Sequence, residues 1–190
     1  PNAHHRLRGL TPVTTPRLRE TRPYPFARLR KLFEGVTPNP AFTPVSLGIG
    51  EPSHPTPECI TKALAANFAG LEKYPGTAGS PEFKAAVISW CEKRYGVTLA
   101  ANQVLPCLGS REALFSFVQS AVDSTREAYV VMPTPFYQIY EGAAILAGAK
   151  PYFVPLTPAN HFRMNIEAIP AEVLAKTQVV FVCSPSNPTG

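Results

Sequence analysis

From about residue 104 to residue 190, short apolar runs alternate with stretches of helical period, and this alternation constrains the fold more than any other feature of the chain. The runs Val104–Leu108, Ala128–Met132, Tyr152–Leu156 and Val179–Cys183 have the length and apolar content of buried strands. Between them, Arg111–Val122, Phe136–Ala147 and Ile166–Ala175 repeat apolar residues at the spacing of one helix face. Strands that alternate with helices need crossover connections, which leave the strands parallel and lay the helices on the faces of the sheet. The expected fold class is α/β, a mostly parallel sheet sandwiched by helices.

Upstream the texture changes. Residues 1–55 are rich in proline, with one short amphipathic helix expected over Pro25–Phe33 and a brief strand over Val45–Ile49. Pro57–Phe68 reads as a helix with Ile60, Leu64 and Phe68 on one face. Ser80-Pro81-Glu82 then supplies an N-cap, a proline at the first helical position and an acid in the first turn. The helix they open runs to about Tyr95 and stops at Gly96.

Composition narrows the class of partner. Hydrophobic residues make up 45% and charged residues 16% of the 190, an ordinary share for a globular protein. No apolar run reaches the roughly 20 residues that cross a bilayer. The first residues lack the apolar core of a secretion signal, so a cytoplasmic location and no membrane partner are expected. The net charge is +5, but residues 1–35 alone hold eight basic side chains against Glu20 and Glu34, which leaves the remainder at −1. The basicity belongs to an N-terminal arm, read as solvated or lying on an interface, and no nucleic-acid partner is expected. Cys59, Cys91, Cys107 and Cys183 form no CxxC pair and the four histidines do not cluster, so no metal site is expected. The thiols read as buried and reduced.

Four connections carry unusual residues. Gly109-Ser110-Arg111-Glu112 joins a strand to a helix. Free N–H groups, a hydroxyl and the positive end of the helix dipole make a phosphate cradle there, or Ser110 is a plain N-cap. Pro133-Thr134-Pro135-Phe136-Tyr137 follows the next strand and presents Phe136, Tyr137 and Tyr140 near the carboxyl edge of the sheet. Such a ring stacks on a flat heterocycle, or simply forms the apolar side of the following helix. Asn187-Pro188-Thr189-Gly190 turns the chain after the last strand, where open α/β sheets hold their ligands. The Asn187 amide can donate to a ligand oxygen, while Asn-Pro by itself is a turn starter. Lys73–Gly79 is too rich in glycine to be a strand and carries Tyr74. In this order the phosphate cradle, the stacking aromatic and the asparagine, each after successive expected strands, describe a pocket for a phosphorylated aromatic cofactor.

With Leu47-Gly48-Ile49-Gly50-Glu51-Pro52, Tyr74-Pro75-Gly76, Gly109-Ser110-Arg111-Glu112, Pro135-Phe136-Tyr137 and Ser186-Asn187-Pro188-Thr189-Gly190 in this sequence, the chain resembles the class I/II aminotransferases, pyridoxal 5'-phosphate enzymes of fold type I. The resemblance covers about Pro25 to Gly190, the N-terminal half of such an enzyme. It implies that Ser110 and Arg111 hold the cofactor phosphate, largely through backbone N–H groups. Tyr137 would stack on the pyridine ring and Asn187 would donate to its phenolic oxygen. It also implies a homodimer in which Tyr74 reaches the neighbouring site, with Gly50 lying against the substrate α-carboxylate. Residues 1–55 become an N-terminal arm and part of the small domain, and 56–190 the first part of the cofactor-binding large domain. Tyr24-Pro25-Phe26-Ala27-Arg28-Leu29 and Leu47–Pro52 look most like bacterial N-succinyldiaminopimelate aminotransferases of lysine biosynthesis. The implied substrates are an amino acid and a 2-oxo acid, namely N-succinyl-LL-diaminopimelate and 2-oxoglutarate.

No catalytic residue is expected within these 190. The resemblance puts the Schiff-base lysine, the acid facing the pyridine nitrogen and the substrate-clamping arginine after Gly190. The seven lysines present fall on helix faces, loops or the arm, and Asp123, the only aspartate, ends a helix. The stretch alone is expected to be inert, as one portion of a longer protein. Two other functions share the same cofactor contacts or scaffold: a carbon–sulfur lyase, and a non-enzymatic effector-sensing regulator. The arm lacks the helix-turn-helix pattern that such a regulator carries.

Overall fold

The computed structural model describes residues 14–45 and 48–190. They fall into two compact units, one of residues up to Arg28 with Cys107–Gly190, the other of Leu29–Pro106. A short helix, α1 (Pro25–Leu32), spans the boundary. Within the second unit, α2 (Glu58–Ala66) ends where the Asn67 side chain donates to the Ala63 carbonyl at 2.8 Å, and a 3-10 turn over Phe68–Glu72 follows. α3 (Pro81–Tyr95) starts and stops where its signals lie. The Phe83 N–H donates to Ser80 Oγ at 3.2 Å, and Gly96 takes the left-handed φ of 68°.

The first unit is built around three parallel strands, β1 (Tyr129–Thr134), β2 (Lys150–Pro155) and β3 (Thr177–Val180), in the order β2-β1-β3. Register is uninterrupted from Tyr129–Lys150 to Thr134–Pro155, while an irregularity after Tyr129 sets Val130 opposite Val179. β1 takes the centre because it is apolar on both faces, with Val130, Val131 and Met132 wholly buried. Alternate side chains then serve two layers. Val130 and Met132 pack with Val118 of α4 (Ser110–Ala121) and with Tyr140, Ala143, Ala144 and Ala147 of α5 (Ile139–Ala147). Val131 packs with Val154, Ile169 and Val173, the last on the single turn of α6 (Ala171–Leu174). The small side chains at 143, 144 and 147 let α5 lie close to the sheet. Fold class and helix-covered parallel sheet are as the alternation implied.

The amino ends of the strands share one carboxylate. Glu127, just before β1, accepts from Lys150 Nζ at 2.6 Å and also pairs with Lys176, just before β3. The Lys150 hydrogen bond, then that of Lys176, holds the Glu127 carboxyl at about 2 rather than its ordinary 4.5. Part of the N-terminal arm also lies on this unit. Arg17 donates to the Leu146 carbonyl at 3.3 Å and Arg22 pairs with Glu141 at 3.6 Å.

Several expected elements are revised. Val104–Leu108 is not a strand. Pro106 has no N–H to give a ladder, no described strand lies beside this segment, and Leu105 and Leu108 stay exposed. The helix expected from Phe136 begins at Ile139, because the turn at Thr134–Pro135 keeps Phe136 and Tyr137 out of helical geometry. Pro170 splits the helix expected over Ile166–Ala175 into a 3-10 turn, Ile166–Ala168, and α6. The last strand starts two residues earlier than the apolar run, at Thr177, and ends at Val180, although the Phe181 N–H still bonds the Val131 carbonyl at 2.8 Å. The strand expected over Val45–Ile49 includes residues 46–47, which lie outside the described residues. None of the four thiols is buried: Cys59 and Cys107 are exposed, Cys91 and Cys183 half-buried.

Candidate functional site

Gly109 stands before the first turn of α4 at φ 94° and ψ 156°, and no side-chain oxygen caps this helix. An added Cβ would meet nothing within 4 Å, so the backbone angle, rather than space, asks for glycine. Ser110 is the first helical residue and not the cap, which removes the plain N-cap reading. The first-turn N–H groups of α4 have no intrahelical acceptors and sit at the positive end of its dipole. Glu112 folds back, its carboxylate accepting from the Leu108 N–H at 2.5 Å, which fixes the approach to the turn.

From here a row of side chains runs to the end of β3. The Arg111 guanidinium carbon lies 5.8 Å from the Tyr137 ring centroid. Tyr137 meets Tyr140 edge-on, at 5.9 Å and 82°. Tyr140 in turn lies flat on Phe181, at 4.1 Å and 12°. Burial, with the Cys183 thiol beside it, pushes the Tyr140 phenol above its ordinary 10. Phe136 turns elsewhere and stacks on Phe153 at 5.2 Å.

Asn187 follows Phe181 in the chain, exposed, in a turn closed by the Gly190 N–H donating to the Ser186 carbonyl at 2.6 Å. On either side of it, Ser186 Oγ and Thr189 Oγ1 are buried without a hydrogen-bond partner among the described residues. Buried hydroxyls of this kind call for a partner.

The predicted residues are therefore brought together unequally. Arg111 touches Tyr137, and Tyr137 reaches the end of β3 through Tyr140. Asn187 is joined to that row only along the chain. A hollow of about 320 Å³ is lined by Arg22, Tyr24, Arg28, Arg111, Phe136 and Glu141, among others. A second, of about 380 Å³, is lined by His161, Arg163, Cys183, Ser184, Ser186 and Gly190, among others. Ser110, Tyr137 and Asn187 line neither of these two. Tyr74 is fully exposed on its loop, and Gly50 is exposed with open space where a Cβ would stand; both belong to the other unit. The part of the row that sequence reasoning missed is Tyr140 against Phe181. The three-residue spacing of Tyr137 and Tyr140 was its only signal.

An uncapped helix start, an aromatic ring after β1 and an asparagine turn after β3 suit a phosphorylated aromatic cofactor on a parallel α/β sheet. Residues 43–190 match the family "Aminotransferase class I and II", and the chain belongs to that family. It is 37% identical over 181 residues to LL-diaminopimelate aminotransferase of Desulforudis audaxviator, covering 94% of this chain and 45% of that protein. The protein of that name in Syntrophobacter fumaroxidans is 35% identical, covering 94% and 46%. Among solved structures, an aminotransferase from Neisseria meningitidis superposes with a TM-score of 0.85 at 46% identity, covering 92% of this chain and 45% of that one. One from Helicobacter pylori gives 0.82 at 38% identity, covering 90% and 44%. The chain thus spans about half the length of the relatives it matches. The fold is that of the fold type I aminotransferases, and the cofactor of the family is pyridoxal 5'-phosphate.

The residues present fit that group. Its phosphate suits an uncapped helix start next to a guanidinium, its flat ring suits Tyr137, and the two unpartnered hydroxyls flank the asparagine turn.

Proposed function

We propose that this chain is the N-terminal half of a homodimeric aminotransferase that moves an amino group between an amino acid and a 2-oxo acid. The observation that carries the proposal is the contact of Arg111 with Tyr137 beside the uncapped start of α4. On this reading the phosphate and the ring lie side by side. When bound, pyridoxal phosphate supplies an electron sink for the negative charge that develops at the substrate α-carbon. The chain's own residues supply position. The N–H groups of Ser110 and Arg111 hold the phosphate, and Tyr137 covers the ring. The Asn187 amide donates to the phenolic oxygen and stabilises its negative charge. Gly50 leaves room for the substrate α-carboxylate, and Tyr74 enters the neighbouring subunit's site. In the complete protein, residues 1–55 form the arm and part of the small domain, and 56–190 begin the large domain.

The relatives named LL-diaminopimelate aminotransferase support a diamino dicarboxylic acid as amino donor. We extend this to lysine biosynthesis in the cytoplasm, with 2-oxoglutarate as acceptor and LL-diaminopimelate or its N-succinyl derivative as donor. No helix among the described residues is long and apolar enough to cross a membrane. The test is glutamate formation from 2-oxoglutarate by the full-length protein, supplied in turn with each donor. Amino transfer from one of the two supports the reading. Release of pyruvate and ammonia without an acceptor points to a lyase instead.

A further inference from the structure

We infer that Tyr140 is a positioning residue that fixes the plane of Tyr137. The inference rests on the reading of Tyr137 as the ring that covers the cofactor.

Tyr137 lies in the irregular link between β1 and α5, half-buried, where no helix or strand ladder holds it. Its restraints come from outside the link. Arg111 approaches on one side, and an arginine head leaves conformational freedom to the ring. Tyr140 is different, because it holds Tyr137 twice. Its N–H donates to the Tyr137 carbonyl at 2.9 Å, closing a turn, and the two rings meet edge-to-face at 82°. Tyr140 is itself immobilised. It is 6% exposed and lies at 12° on Phe181, also 6% exposed, whose N–H bonds the Val131 carbonyl of the central strand at 2.8 Å. Rigidity therefore passes from the buried β1 ladder through Phe181 and Tyr140 to Tyr137, the one ring of the row that is not buried. Burial pushes the Tyr140 phenol above its ordinary 10, so it is uncharged near neutrality. What matters is the aromatic ring, which phenylalanine also offers.

The experiment is a spectroscopic titration of the full-length protein with pyridoxal phosphate, on Tyr140→Phe, Tyr140→Met, Tyr137→Ala and the Tyr137→Ala/Tyr140→Met double variant. Tyr140→Phe is expected to bind within about twofold of the unmodified protein, and Tyr140→Met about two- to tenfold more weakly, the range of an aromatic pair. In the Tyr137→Ala background the methionine substitution is expected to cost nothing further. If Tyr140→Met weakens binding equally in both backgrounds, or phenylalanine fails to restore it, the inference is overturned. If Tyr137→Ala alone binds as tightly as the unmodified protein, the role given to Tyr137 fails. Should Tyr140→Met not fold, Phe181→Leu replaces it, with the same loss expected only while Tyr137 is present.

Discussion

α3 and β1 show two opposite ways in which this chain specifies structure. α3 carries every local signal a helix can have. Ser80 caps it, Pro81 and Glu82 open it, Lys93 and Arg94 complement its dipole, and Gly96 ends it. Backbone and Ser80 hydrogen bonds hold the Glu82 carboxyl below its ordinary range. Yet no residue of α3 is buried, and Trp90 stands 55% exposed. β1 has no such signals and contains Pro133, but its Val130, Val131 and Met132 are removed from water completely. One element is held by its own ends, the other by what surrounds it. The ring row is fastened to β1, an element of the second kind.

The sharpest way to break this contrast is truncation. In urea unfolding of the full-length protein, Met132→Ala is expected to cost about 2–5 kcal/mol, while Trp90→Ala costs under about 1 kcal/mol. Equal losses would remove the distinction. Aromatic pairs sharpen it next. Tyr137→Ala is expected to weaken pyridoxal phosphate binding about tenfold by direct titration. Tyr95→Ala, which breaks the edge-on pair of Tyr95 with Trp90 at 5.3 Å, is expected to leave that affinity unchanged. Among the local signals, Gly96→Ala forces a side chain into φ 68° with no clash to relieve, and is expected to cost about 1 kcal/mol. Ser80→Ala is expected to cost about the same or slightly less, through the lost cap.

The smallest effect belongs to Glu127. Its carboxyl is depressed in the folded state to about 2, so its contribution is present above the ordinary 4.5 and is lost as pH falls toward 2. Glu127→Gln is expected to flatten the acid limb of the stability–pH curve below about 4.5 and to leave the neutral region little changed. A curve with an unchanged acid limb would show that Lys150 and Lys176 do not hold this group in solution.

Helices with chemical ends were legible, as α3 shows. So was the parallel sheet, because apolar runs such as Val130-Val131-Met132 alternate with stretches of helical period, and the crossovers this needs leave the strands parallel. Val104–Leu108 was misread because a strand is a pairing. Apolar content does not reveal that Pro106 breaks the ladder and no described partner lies alongside. At the site, Gly109 was legible from turn chemistry, since a positive φ before a helix has few solutions, whereas Arg111 entered only through the family resemblance. The Tyr140–Phe181 contact was not, because it joins residues 41 positions apart whose proximity depends on β3 lying beside β1. Ser186 and Thr189 looked like turn residues, and only burial exposes their missing partners.

In the function proposed above, the start of α4, the Tyr137 ring and the Asn187 turn hold one cofactor between them. A crystal structure of the full-length protein grown with pyridoxal phosphate tests it most directly. In that crystal the phosphate is expected on the N–H groups of Ser110 and Arg111, the ring against Tyr137, and the phenolic oxygen within hydrogen-bond distance of the Asn187 amide. A phosphate held elsewhere, or Tyr137 and Asn187 facing different hollows, would contradict it.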